Sequence, residues 1–316
     1  MIVNPLISIS IPTYNRAKFL DLCLEANIPV ARAHNIQIFI SDNASTDDTQ
    51  LVVNRRMAEY PLIRYSRNDT NLGMDNNFEK AFKFAETEYI WLLGDSYIIP
   101  SEGIDYLLEC ISDRTRVYDA LVFNVENRVR EIPAQVYADR NKLLSDIAWH
   151  MTCVASLVYN AKVIKNANFE RYKNTDLVQI GVILDCISNR DFLINWKDSI
   201  SVQFIKNKDL KRVSWESRTF EIWAERWPNL IFSLPVTYKL DVKLKCIKDH
   251  GVKSGIFSLS GLLLLRISNR FNWKVYEKYS VYFPISIDYP QVILFFISLC
   301  PLFIIKLVKK DRKSVV

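Results

Sequence analysis

Short apolar runs, each followed by a polar loop, set the rhythm of the first third of the chain. Leu6-Ile7-Ser8-Ile9-Ser10-Ile11 reads as a strand, and Ile36-Gln37-Ile38-Phe39-Ile40 as a second, buried and parallel one. The first runs into Pro12-Thr13-Tyr14-Asn15-Arg16. The second runs into Ser41-Asp42-Asn43, short polar residues that suit a turn and can bond their own backbone. A helix follows each loop. One covers Ala17 to Ala33, where Pro29 is expected to end or kink it; the other runs through Asp48-Thr49 to Glu59, with Thr46 or Asp47 able to cap it. Residues 62–66 form a third, shorter strand, 68–73 a loop, 76–86 a helix and 89–93 a fourth strand. This alternation predicts a parallel sheet flanked by helices. Open sheets of that kind bind ligands at the carboxyl ends of their strands. Two polar loops side by side there make a floor for something flat and polar, and a nucleotide is the obvious candidate.

Beyond residue 120 the pattern is looser. Residues 120–125 and 154–159 read as strands. Asn174-Thr175-Asp176 is expected to open a helix with apolar positions at Leu177, Ile180, Ile183, Leu184 and Ile187. The last 105 residues carry an aromatic and basic stretch (Trp215, Trp223, Trp227, Arg212, Arg218, Arg226) and two apolar runs, 255–267 and 292–308. The second run is broken by Pro301 and Lys306 and falls short of the ~20 apolar residues that span a bilayer. Lys309, Lys310, Arg312 and Lys313 follow it. Helices lying in a membrane interface, held by basic residues on acidic lipid, fit this pattern; helices packed on a globular domain are the alternative.

Composition narrows the class. Of 316 residues, 49% are hydrophobic and 24% charged, ample for a globular core. A net charge of +6 suits anionic phosphates or an anionic bilayer and carries no nucleic-acid motif with it. The six cysteines are scattered without a C-x-x-C pair, which argues against zinc and for free thiols in a reducing cytoplasm. The first residues lead straight into a strand, so no secretory signal is expected.

Taken in order, ISIPTYNR, ISDNASTDDT, NDTNLGMDNNF and IWLLGDSYIIP resemble the nucleotide-sugar half of bacterial inverting family 2 glycosyltransferases with the GT-A fold. More narrowly they look like the branch that builds O-antigen and capsule repeat units, abequosyltransferase-like enzymes among them. The resemblance covers roughly the first 110 residues. It implies an α/β GT-A fold, Rossmann-like with a mostly parallel sheet flanked by helices; the apolar and basic pattern of the tail adds a C-terminal helical, membrane-associating extension. Residues 1–120 would form the nucleotide-sugar half, 121–225 the acceptor half, and 226–316 the extension. It further implies a nucleotide-sugar donor, a lipid-linked (polyprenyl-diphosphate) oligosaccharide acceptor, and a place on the cytoplasmic face of the inner membrane.

Residue by residue, the resemblance gives Asp42 the reading of the base and Thr13 contacts to base and ribose. Tyr14 and Arg16 can line the base and approach the diphosphate, and Asn71 and Gly73 join them as donor-binding residues. Asp95 sits where the family carries an acidic triplet that touches ribose and holds Mg2+ or Mn2+. Here Ser96 and Tyr97 replace the other two acids. Three outcomes follow: a weak metal site on Asp95 with outside ligands, cations such as Arg16 in the metal's place, or impaired catalysis in a binding or scaffold subunit. Asp176 matches the place of the catalytic base. Trp149 offers a face for sugar stacking, and His150 and Gln179 offer hydrogen bonds to an acceptor; half-buried packing is the bland reading of the Trp149-His150 pair. A nucleotidyltransferase would want a Gly-rich basic loop after the first strand, which Pro12-Thr13-Tyr14-Asn15 is not.

Overall fold

The computed structural model describes residues 2–207, 210 and 215–301. The chain divides into two compact units, Met1–Lys211 and Arg212–Val316. The two expected halves, 1–120 and 121–225, share one sheet in the first unit, and residues 212–225 belong with the helices of the second.

The first unit is built on nine strands: β1 (Ile7–Thr13), β2 (Gln37–Asp42), β3 (Ile63–Arg67), β4 (Tyr89–Leu92), β5 (Tyr97–Ile98), β6 (Ala120–Val125), β7 (Gln135–Tyr137), β8 (Leu157–Asn160) and β9 (Ile194–Phe204). Their order is β3-β2-β1-β4-β8-β6-β9-β5, with β7 on β9. The first four strands pair in parallel, so their carboxyl ends and loops share one edge. β8 then enters antiparallel between β4 and β6, and β6 and β9 are parallel again. All seven residues of β1 and all six of β6 are buried, as a strand covered on both faces requires.

Helices α1 (Ala17–Ala33), α2 (Thr49–Glu59), α3 (Met74–Phe84) and α4 (Ser101–Ser112) connect the parallel strands. α1 does not end at Pro29, which lies inside it. The other difference sits at residues 174–176. The helix opens only at Val178 because Asn174 and Asp176 take positive φ, 63° and 61°, and form a left-handed turn ahead of it.

The second unit is helical, with its main helices at Leu240–Lys253, Leu259–Ile267 and Gln291–Leu299. Its core is aromatic: Phe220 packs against Phe257, Phe271 and Phe283, and Trp223 stacks on His250 at 3.9 Å. Trp223 and Trp227 are buried, and Trp215 alone of the three is exposed. No helix among the described residues is long and apolar enough to cross a membrane. The expected basic run at 309–313 and Arg212 lie outside the described residues.

Candidate active site

The carboxyl edge of β1, β2 and β4 is tied together by side chains from loops far apart in sequence. Opposite the end of β1, Asp95 accepts hydrogen bonds on both carboxylate oxygens: from Thr13 Oγ1 at 2.9 Å on Oδ2, and from Arg16 Nε at 2.8 Å on Oδ1. The carboxylate is almost wholly buried. Burial raises its pKa from the usual carboxylate range, while the Arg16 charge and the Thr13 hydrogen bond oppose that rise. The Arg16 guanidinium lies 4.4 Å from the Phe19 ring centroid.

Asn15, at φ 52°, joins the first loop to the second. Its N–H donates to Ser45 Oγ and its Oδ1 accepts from the Thr46 N–H. Asp47 goes further and caps two helices. One oxygen accepts from the Ala17 N–H at the start of α1, and the other from the Thr49 N–H and Oγ1 at the start of α2. Burial works against its ionised form, but the hydrogen bonds from Ala17 and Thr49 hold the carboxyl below its ordinary range.

Asp42 ends β2 with no exposed surface. Its Oδ1 accepts from the Ser45 N–H at 2.9 Å and its Oδ2 from Tyr65 Oη at 2.7 Å, with Arg67 Nε 3.6 Å away. Burial, then the Asp42 hydrogen bond, pushes the Tyr65 hydroxyl well above its ordinary pKa, so it stays a donor. In this structure the Asp42 carboxylate braces β2 to β3 and its loop.

Asn43, the neighbour that sequence reading passed over, is the hub of the third loop. Its Nδ2 donates to Asn71 Oδ1 and Gly73 O, and its Oδ1 accepts from Asn68 Nδ2 and the Leu72 N–H. Gly73 has φ 81° with open space where a side chain would go, so conformation rather than crowding demands glycine there. Asn71 and Gly73 thus sit beside the second loop, and Tyr14 stands exposed above the first.

Asp176 reaches the same edge through a residue that the loops alone did not reveal. Asp75, buried in the first turn of α3, accepts the Asp176 N–H at 3.0 Å and the Val178 N–H at 3.4 Å. Burial raises the Asp75 pKa; the hydrogen bond from Asp176 N–H opposes that rise, and the nearby Asp176 charge adds to it. Asp185, deeper in the helix that opens at Val178, pairs with Arg171.

The three acceptor candidates are buried. His150 is completely buried, its Nε2 3.0 Å from Phe123 O and its ring against Trp149 and Trp196. Burial, then the Arg128 charge, lowers its pKa to about 3, so it is neutral and packed. Trp149 is buried too, with the Arg128 guanidinium 5.3 Å from its ring centroid. Gln179 is buried and donates to Thr152 O. In this structure all three side chains are enclosed by protein, the half-buried pair of the bland reading being buried outright.

The metal expectation is a weak site on Asp95 completed by outside ligands. Among the described residues no group of three or more His, Cys, Asp or Glu could hold an ion. Tyr97, where the family has its last acid, packs its ring against Phe204 and brings its hydroxyl 3.2 Å from Cys153 Sγ. Residues 95–97 as they stand do not fit a divalent cation.

Residues 8–166 match glycosyl transferase family 2, half of the chain. The chain belongs to that family. This glycosyltransferase domain is similar to abequosyltransferase RfbV of Salmonella typhimurium, 35% identical over 116 residues, 36% of this chain and 34% of that protein. It is also similar to a chondroitin synthase of Escherichia coli, 27% identical over 105 residues, 33% of this chain and 15% of that protein. The chain thus spans about a third or less of the length of these relatives. Among solved structures it resembles Staphylococcus aureus TarS 1-349 in complex with UDP-GlcNAc, with a TM-score of 0.61 at 14% identity over 97% of this chain and 92% of that one. It also resembles the mannosyltransferase PcManGT of Pyrobaculum calidifontis in complex with GDP-Man and Mn2+, with a TM-score of 0.55 at 15% identity over 94% and 88%. These identities establish the α/β GT-A fold and leave the site to be argued from its own residues.

Proposed function

We propose that the enzyme transfers one sugar from a nucleotide-diphosphate donor to a lipid-linked oligosaccharide during bacterial surface-polysaccharide assembly, with inversion at the anomeric carbon. The observation that carries this reading is the hydrogen-bonded edge formed by Thr13, Asn15, Arg16, Asn43, Asn71, Gly73 and Asp95 in a family 2 domain. The similarity to an abequosyltransferase supports an O-antigen-like product, and the fold's likeness to enzymes bound to UDP-GlcNAc and GDP-Man supports a sugar nucleotide.

In this mechanism Asp176 takes the proton of the acceptor hydroxyl as its oxygen attacks the anomeric carbon. The bond from that carbon to the diphosphate oxygen breaks, and the nucleoside diphosphate leaves with the electron pair. The αL turn at Asp176 and its tether to Asp75 fix where the carboxylate stands.

The second unit is assigned to the cytoplasmic face of the inner membrane. Its helices Leu259–Ile267 and Gln291–Leu299 expose Leu259, Leu264, Val292, Ile293, Phe296 and Leu299, an apolar set suited to an interface. Purified enzyme incubated with a panel of sugar nucleotides and a polyprenyl-diphosphate-linked acceptor tests the whole reading. Transfer is expected from wild type and lost in Asp176→Ala. Donor binding without any transfer or hydrolysis would favour the scaffold alternative raised by Ser96 and Tyr97.

A further inference from the structure

We propose that Arg16 stands in for the divalent cation: its guanidinium, held by Asp95, receives the donor diphosphate, and nucleotide binds without metal. The inference rests on the nucleotide-sugar reading above. A metal at residues 95–97 would need Asp95 as its one carboxylate, and both Asp95 oxygens are already hydrogen-bonded, one to a cation. The ion would have to displace a guanidinium whose side chain is only 15% exposed. It would then find Ser96, whose backbone carbonyl accepts the Ile205 N–H, and Tyr97, engaged with Phe204 and Cys153.

Arg16, by contrast, is set up to meet a diphosphate. Only its Nε is bonded; Nη1 and Nη2 make no hydrogen bond to the described residues. The Nε anchor and the Phe19 ring fix the guanidinium plane at the carboxyl edge, so two forked donors remain for phosphate oxygens. Those donors strengthen their hold as charge gathers on the leaving diphosphate oxygen, the service that a metal performs elsewhere.

Titration calorimetry on the full chain with UDP, GDP and CDP, in EDTA and in Mn2+, tests this. The nucleotide that binds is expected to do so with a Kd equal within about twofold under the two conditions. Arg16→Ala, checked for folding by its melting curve, is expected to weaken binding at least about tenfold in EDTA. Wild-type binding that appears only with Mn2+ overturns the proposal, and does so whether or not the variant folds. Unchanged affinity in a folded Arg16→Ala overturns it as well. Absence of binding in both conditions overturns the nucleotide-sugar reading itself, and with it this inference.

Discussion

The two sides of the first unit solve opposite problems with similar residues. At the carboxyl edge of β1, β2 and β4, polar side chains bond to one another and keep part of their surface at the rim, as Tyr14, Arg16 and Asn71 do. Around residues 148–151 and 179, polar and aromatic side chains of the same kinds are sealed in the core. The difference lies in backbone setting. The first group sits on loops leaving parallel strands, where chain ends converge on solvent. The second sits on helices packed into the core; at His150 these are backed by β6 and β9, where an imidazole finds a carbonyl before it finds water. A residue's chemistry alone therefore says little about function until its element is known.

Perturbing the Asp95 pair should give the largest effect. Asp95→Ala leaves a guanidinium without its partner in a mostly buried site, and should lower stability by about 3 kcal/mol and abolish donor binding. Chemical denaturation and calorimetry read the two separately. Asp42→Ala should follow, costing about 1–3 kcal/mol by stranding the Tyr65 hydroxyl and the Ser45 N–H. Asp42→Asn separates bracing from base reading: a brace alone predicts recovery of most of the donor affinity, whereas a variant that folds like wild type yet binds no donor would give Asp42 the base.

His150 sharpens the comparison from the other side. His150→Phe should leave transfer within about threefold of wild type, with about 1 kcal/mol lost for the unpaired Phe123 carbonyl. The pH dependence has a definite sign. The folded pKa, about 3, lies below the ordinary 6.5, so the unfolded chain binds more protons between those values. Wild-type stability should therefore fall as pH drops from 6.5 toward 3, and His150→Phe should flatten that slope. A large drop in turnover with an intact fold would instead move His150 into the site.

Asp75 should show the smallest effect on stability. Its pKa is raised by folding, so its contribution is complete at low pH and lost as pH climbs through the raised value. Asp75→Asn should cost little at neutral pH and remove that part of the decline, while lowering turnover several-fold because its tether positions Asp176. Unchanged turnover would reduce Asp75 to a structural cap.

Much of the first unit was legible because parallel strands announce themselves as apolar runs with polar stops. β1, β2, β6 and the loops at Thr13, Asp42, Asn71 and Asp95 could be read that way. β9 could not: Lys197 and Asp198 interrupt it at an irregularity in its pairing with β6, so its period is broken where the ladder shifts. The partners of Asp42 and Asp176 were hidden for another reason. Tyr65 lies 23 residues from Asp42 and Asp75 lies 101 from Asp176, and only the folded sheet brings them together. The burial of His150 is likewise a tertiary fact, set by Trp196 and Phe123.

Donor is expected to bind at the carboxyl edge rather than in the cavity of about 450 Å³ at the amino end of β4, lined by Glu88, Arg114 and Lys162 among others. Hydrogen exchange of the full chain, with and without a sugar nucleotide that binds, tests it most directly. Protection is expected in the backbone amides of residues 13–17, 42–49, 71–76 and 94–97. Protection confined to residues 86–89, 114–117 and 160–162 would contradict the account and move the donor to the opposite edge of the sheet.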